Sequence, residues 1–372
     1  MAGLVSFAPP PYPYERLESL RSVASRHVGG AIDCSIGTPA DPPPADVVAE
    51  LARATGARGY PPSAGTVRYR EAAAQWLGRR FGVDAPAAQL AACVGTKEFV
   101  ASLAGFLHLR RDERDTVLYP SISYPTYAMG ATLAGLRSVD VPLVDGALDL
   151  ASIEPSDVAR ALVLWSNSPS NPTGHLDDLG RVAAWGREND VLIASDECYA
   201  DFTWTDHPRT ILSQGFDNVL AVHSISKRSN LAGVRAGFYT GDAEVVAYLQ
   251  LVRQHAGLMV AAPVQSAVAL AYDDDAHVEV QRDVYLRRLQ ILGGALRETG
   301  VHCPEPQGSF YLWCSREGES GWQLAAWLAE VAGLIVSPGE LYGAAGESFV
   351  RIAMVQPTRL IELAASRLAD TR

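Results

Sequence analysis

The sequence predicts an α/β protein: a large domain built on a mostly parallel sheet covered by helices, joined to a smaller α+β domain. Three observations carry that expectation. In the middle of the chain, short β-rich runs alternate with helical patterns, as βα units of a sheet buried on both faces require. Each run is followed by small, hydroxyl-bearing or ionisable residues, and in open parallel sheets ligands sit outside the carboxyl ends of the strands. From about residue 275 the alternation stops and a long amphipathic helix opens a different pattern.

The elements follow in order. The Pro-rich opening (Pro9 to Pro13) predicts an extended arm, and "ERLESLRSVASRH" a short helix after it. Strands are expected at "LAACVG" (90–95), "TVLYP" (116–120), "RALVLWSN" (160–167), "VLIASDE" (191–197) and "NVLAVHSIS" (218–226). Helical patterns such as "KEFVASLAGFLHLR" (97–110) and "LGRVAAWGREND" (179–190) lie between them. Beyond 275 come a helix over 278–299, "GSFYLWC" (308–314), a helix over 321–332, "LIVSPG", and "SFVRIAMV" (348–355). The expected division is 1–35 as arm and part of the small domain, 36–274 as the large domain, and 275–372 as the small one.

Composition narrows the function. With 372 residues, 48% hydrophobic and 20% charged, a large core is available. A net charge of −11 argues against nucleic acid or an anionic membrane as the main partner, while leaving room for a small anionic ligand at a local Arg cluster. Five scattered cysteines without CxxC read as reduced thiols of a cytoplasmic protein. The N-terminus lacks the basic and apolar regions of a signal peptide. The longest apolar stretch, 256–272, is too short and too interrupted to span a membrane and reads as a buried helix. Eight histidines show no paired metal-ligand spacing, so no metal is expected.

The chemistry starts from Lys227. Of 31 basic residues only Lys97 and Lys227 are lysine. Arg cannot be deprotonated, whereas a free lysine amine can form an imine with an aldehyde. The common aldehyde cofactor is pyridoxal phosphate, whose ring withdraws electrons while its nitrogen stays protonated. A buried strand-end carboxylate holds that proton, and Asp196 in "IASDECY" stands in such a place. For the phosphate, Gly95, Thr96 and Lys97 form a Gly-led turn into a helix, with Ser224, Ser226 and Arg235 to complete a cage. Asn171 and Tyr199 are candidates for the phenolic oxygen and Tyr124 for stacking on the ring. Arg351, flanked by apolar residues on a strand, needs an anionic partner such as an amino-acid carboxylate. Each residue alone also has an ordinary use: a strand-end Asp caps turns, Asn-Pro-Thr-Gly is good turn sequence anywhere, and a strand Arg serves internal ion pairs.

Together, NPTG at 171–174, D-x-x-Y at 196–199, and SxSK followed by R-x-G eight residues beyond the lysine resemble the fold-type I pyridoxal-phosphate aminotransferases, of the aspartate-aminotransferase-like class I/II. The resemblance runs from "CSIGTPADPPP" (34–44) to "VRIAMV" (350–355). It implies that Lys227 is the imine lysine and proton shuttle, that Asp196 pairs with the ring nitrogen, and that Tyr199 and Asn171 hold the phenolic oxygen. It further implies that Arg351 grips the substrate carboxylate beside Gly37, and that Tyr60 reaches the phosphate of a neighbouring subunit in a homodimer.

More narrowly, "SKRSNLAGVRAGF", "GTKEFVASL" and "PQGSFYLW" look like the succinyldiaminopimelate aminotransferases of lysine and cell-wall biosynthesis, which use glutamate and 2-oxoglutarate. Lys97 and Arg68 are candidates for a distal carboxylate. Alternatives stay open: an aminotransferase for aspartate, alanine or aromatic substrates, or a β-lyase of cysteine conjugates, which differs only in which bond aligns with the ring. A regulator built on the same fold would be expected to carry a DNA-binding extension, whereas about 35 residues precede the core here. A nicotinamide dehydrogenase would need GxGxxG after a first strand, a pattern not found in this sequence.

Overall fold

The structure, a computed structural model, describes residue 8 and residues 13–53, 58–205 and 207–371. Of the Pro-rich arm (Pro9 to Pro13) only its last proline lies among the described residues, where it opens a 3-10 helix at Pro13–Leu17. A short α-helix, Glu18–Ala24, completes the first predicted element.

A seven-stranded sheet organises the middle of the chain. Its order is Leu90–Cys93, Gly237–Gly241, Val219–Ser224, Leu192–Asp196, Ala161–Asn167, Thr116–Pro120 and Arg137–Val141. Every neighbouring pair is parallel except the two made by Gly237–Gly241, which runs against both its neighbours. The three central strands are buried at every position, which is why their sequences are mostly apolar or small rather than alternating, with Asn167, Asp196 and His223 at or near their carboxyl ends. Helices cover both faces, and apolar clusters form on either side of the sheet. The apolar stretch 256–272 becomes the helix Ala262–Asp273, with Pro263 in its first turn, packed on the helix Val67–Phe81. No helix among the described residues is long and apolar enough to cross a membrane.

Two strands of this sheet carry no signal of the kind used above. Arg137–Val141 is an edge strand with mostly exposed side chains, so it lacks an apolar run. Gly237–Gly241 is bracketed by glycines, which read as a turn. Its glycine at 237 is required: a Cβ there would stand 2.5 Å from the His223 carbonyl oxygen of the neighbouring strand. The predicted strands at 90–95 and 218–226 both end early because a helix begins. Gly95, at φ +77°, starts Thr96–His108, and Ser224 caps Ile225–Arg228 by accepting from the Ser226 amide at 3.1 Å.

The remaining elements pack around a second core. The antiparallel strands Tyr311–Ser315, Phe349–Ala353 and Ser337–Pro338 carry the helices Ala276–Glu298, Gly321–Ala332 and Thr358–Ala369. Ser320 and Gln323 form a reciprocal cap at the start of the second helix. Leu17, Leu20 and Ala24 from the N-terminal helices join this core. The strand predicted at 308–314 begins only at Tyr311, because Ser309 turns the chain at φ +64°. Of the five scattered cysteines, Cys303 and Cys314 meet with their sulfurs 3.1 Å apart as buried thiols.

Candidate active site

The carboxyl ends of the parallel strands share one edge of the sheet, and a pocket opens there. Its walls carry Lys227, Asp196, Tyr199, Asn171, Thr96, Lys97, Tyr124, Ser224, Ser226, Arg235, Gly37 and Arg351. The reversed strand matters to this assembly. Gly237 sits level with Cys93 and Ser224, so the residue two before it, Arg235, arrives at the same edge as the turns that follow its neighbours.

Lys227 ends the short helix Ile225–Arg228, and its ammonium donates to the Gly37 carbonyl. Burial pushes its pKa down to about 8; Cys198 and Asp196 act upward, while the Arg351 and Arg235 charges act downward. A cation at that depth is thereby poised to lose its proton. Asp196 is buried at the end of its strand, and burial raises its pKa. It accepts from the Tyr127 hydroxyl at 2.9 Å and from the Cys198 amide at 3.2 Å. Both donors are neutral, so the carboxylate charge is left for a cationic partner to balance.

Asn171 follows from the turn 168–174. Asn167 anchors it, accepting from the Asn171 amide at 2.7 Å while donating to the Asp196 carbonyl at 2.7 Å. Gly174, at φ +71°, closes the turn against Gly308, where a Cβ would meet the Gly308 oxygen at 2.6 Å. The Asn171 side-chain oxygen then accepts from Arg351 at 2.8 Å. Arg351 donates also to the Ser35 carbonyl at 2.5 Å and lies between the rings of Tyr311 and Tyr342, 4.3 and 4.8 Å from their centroids. It is 2% exposed, has no carboxylate partner among the described residues, and keeps a buried Nε without a hydrogen bond.

At the other end of the pocket, Thr96 and Lys97 open the helix Thr96–His108, which has no side-chain cap. Ser224 and Ser226 share a hydrogen bond of 2.9 Å beside it. Arg235 holds a left-handed backbone (φ +54°) and lies across Gly95, where any side chain would overlap its guanidinium. Helix amides, two hydroxyls and a guanidinium form a set of donors suited to a phosphate dianion.

Two predicted residues stand apart. Gly95 lies behind the lining, under Arg235, and Tyr60 is 97% exposed outside the pocket of its own chain. Arg68 pairs with Asp273 and does not line this pocket of its own chain. Sequence reasoning assigned no role to Tyr14, Ile36, Thr38, Asn167, Cys198, Ala232 and Tyr311 in the lining, nor to Tyr127 beneath Asp196. Of these only Asn167, in the segment directly after its strand, carried a signal.

Donors for a phosphate, a buried carboxylate hydrogen-bonded only by neutral donors, and a lysine with a lowered pKa fit pyridoxal phosphate, and with this sheet they define a fold-type I pyridoxal-phosphate enzyme. A family model for aminotransferase class I and II matches residues 30–368. The chain belongs to that family, and it is a pyridoxal-phosphate-dependent transaminase. It is 41% identical to a 4-dedimethylamino-4-oxo-anhydrotetracycline transaminase of Streptomyces rimosus, covering 96% of this chain and 99% of that protein. It is 33% identical to an LL-diaminopimelate aminotransferase of Syntrophobacter fumaroxidans, covering 96% of each. Among solved structures, a probable N-succinyldiaminopimelate aminotransferase of Thermus thermophilus is similar with a TM-score of 0.87 at 30% identity, covering 97% of this chain and all of that one.

Arg351→Lys is expected to raise KM for an amino-acid donor by about 30- to 150-fold, corresponding to ~2–3 kcal/mol for a charge-assisted pair. A lysine cannot present two parallel donors to a carboxylate and cannot also hold Asn171. Steady-state KM for glutamate checks this, and an unchanged KM would remove Arg351 from carboxylate binding.

Proposed function

We propose that this chain exchanges an amino group between N-succinyl-diaminopimelate and 2-oxoglutarate, in lysine or diaminopimelate synthesis, in two half-reactions through one pocket of a homodimer. The observation that carries the reaction is the meeting of Lys227, Asp196 and Arg351 around that pocket. The substrate reading rests on a second cation. Lys97 stands exposed on the same wall, so the site offers positive charge to a substrate with carboxylates at both ends. The likeness to diaminopimelate-type relatives supports the same choice. Tyr60, exposed and not part of its own pocket's lining, is assigned to the phosphate of the neighbouring subunit.

Bound pyridoxal phosphate supplies an aldehyde that condenses with an amine and a ring that takes up the electrons of the broken Cα–H bond. Asp196 keeps the ring nitrogen protonated. Arg351 binds the α-carboxylate and so fixes which bond of Cα stands across the ring. Lys227, as a neutral amine, would take the proton from the substrate Cα and carry it to the former aldehyde carbon of the cofactor, across the nitrogen that joins them. Asn171 and Tyr199 hold the phenolic oxygen, while Tyr124 covers the ring.

The test is the absorption spectrum of the holoenzyme before and after single amino donors. Conversion of the bound cofactor to its amine form by glutamate and by N-succinyl-diaminopimelate is the expected result. Conversion by LL-diaminopimelate in place of the succinyl compound would keep the pathway and change the substrate. Response to aspartate or alanine alone would overturn the diaminopimelate reading, and release of pyruvate from cystathionine would favour the β-lyase.

A further inference from the structure

Tyr199 and Tyr311 lie 112 residues apart in the chain, meet in one apolar cluster, and place their hydroxyl oxygens 2.7 Å apart in the pocket. Tyr199 follows the strand that ends at Asp196. Tyr311 opens the strand Tyr311–Ser315, whose Trp313 lies opposite Arg351. Tyr311 and Arg351 are therefore diagonal neighbours on one face of that sheet, and the guanidinium sits 4.3 Å from the Tyr311 ring centroid. The close approach of Gly37 completes the enclosure, since a methyl group there would overlap the Tyr311 hydroxyl.

We propose that Tyr311 is a positioning residue: its hydroxyl donates to Tyr199, leaving the Tyr199 proton directed at the phenolic oxygen of the bound cofactor. The inference rests on the reading that Tyr199 serves that oxygen. Two phenols at 2.7 Å share one hydrogen bond, so the direction of that bond decides whether Tyr199 has a proton to give. If Tyr199 donated to Tyr311, its proton would be spent within the protein. The cation against the Tyr311 ring makes Tyr311 the more acidic partner and so the donor. Burial raises the pKa of both phenols, so both stay protonated; the Arg351 charge opposes that rise on both, ranking directly after burial on Tyr311 but last on Tyr199, where the contact with Tyr311 adds to the rise. The other titratable groups acting on the pair are Cys198 and Tyr14. Because the second bond in a hydrogen-bond chain strengthens the first, Tyr199 is also the stronger donor for having accepted one.

The test is a pH titration of the cofactor absorption band in the holoenzyme, comparing the native protein with Tyr199→Phe, Tyr311→Phe and the double variant. A donor on the phenolic oxygen competes for that oxygen with the proton of the Lys227 link, so losing it raises the transition pH. Tyr199→Phe is expected to raise it by about 1–2 pH units, the equivalent of one hydrogen bond to a charged group. Tyr311→Phe should raise it by roughly half a unit, the share of that bond owed to its chain partner. The double variant should match Tyr199→Phe alone. A shift in Tyr199→Phe with none in Tyr311→Phe would overturn the inference and leave the role of Tyr199 intact. A Tyr311→Phe shift that adds fully to that of Tyr199→Phe would also overturn it, because Tyr311 would then act by another route. No shift in Tyr199→Phe would remove the reading of Tyr199, and this inference with it.

Discussion

Lys227→Ala is expected to lower turnover by at least about 10³-fold while leaving the cofactor bound. A positioned proton-transfer group contributes roughly 10²–10⁴-fold, and Lys227 is assigned two transfers in each half-reaction. Covalent attachment is lost with the amine, but the donors at the Thr96 helix terminus, Ser224, Ser226 and Arg235 do not depend on it. Borohydride reduction followed by mass measurement should find a stable cofactor adduct in the native protein and none in the variant. An adduct that survives the substitution would transfer the role to Lys97 or to the N-terminal amine. The pKa of about 8 means that the freed amine is substantially neutral in mildly alkaline solution, as a base must be. An ordinary exposed lysine would be almost wholly protonated there.

Asp196→Ala should fold yet lose about 10²–10³-fold in kcat, the range seen when one preorganised charge-stabilising group is removed. Without the carboxylate nothing in the pocket holds a proton on the ring nitrogen, and the ring accepts electrons poorly. The substitution also strands the Tyr127 hydroxyl and the Cys198 amide, costing about 1–3 kcal/mol for each unsatisfied donor. Asp196→Asn helps to separate the two effects: it removes the charge, while its single side-chain oxygen still accepts from one of the two donors, which bond to different carboxylate oxygens in the native protein. Thermal unfolding and kcat of both variants decide the matter. Near-normal turnover in the Asn variant would remove the ring-nitrogen role.

The sequence was most legible where function follows strand ends. Asp196, Asn171 and Lys227 each stand directly after an apolar run or within the turn it leads to, and the predicted runs at 116–120, 160–167 and 191–197 coincide with strands to within a residue. Tyr311, Tyr127 and Tyr14 were not legible in the same way. Tyr311 meets Tyr199 across 112 residues, Tyr127 meets Asp196 across 69, and Tyr14 meets Tyr342 across 328. A tyrosine in an apolar segment looks the same in sequence whether it fills a core or reaches a site, because only its hydroxyl partner distinguishes them.

What the sequence determined by itself is therefore the βα alternation and the class of cofactor, since these depend on residue types at short spacing. The tertiary structure decided the reversal of Gly237–Gly241, which carries Arg235 to the Thr96 end of the pocket, and the placing of Arg351 against the rings of Tyr311 and Tyr342. Strand direction is settled by pairing with neighbours distant in the chain, and a buried charge by the rings and carbonyls that enclose it. Both are properties of packing, and packing has no period to read.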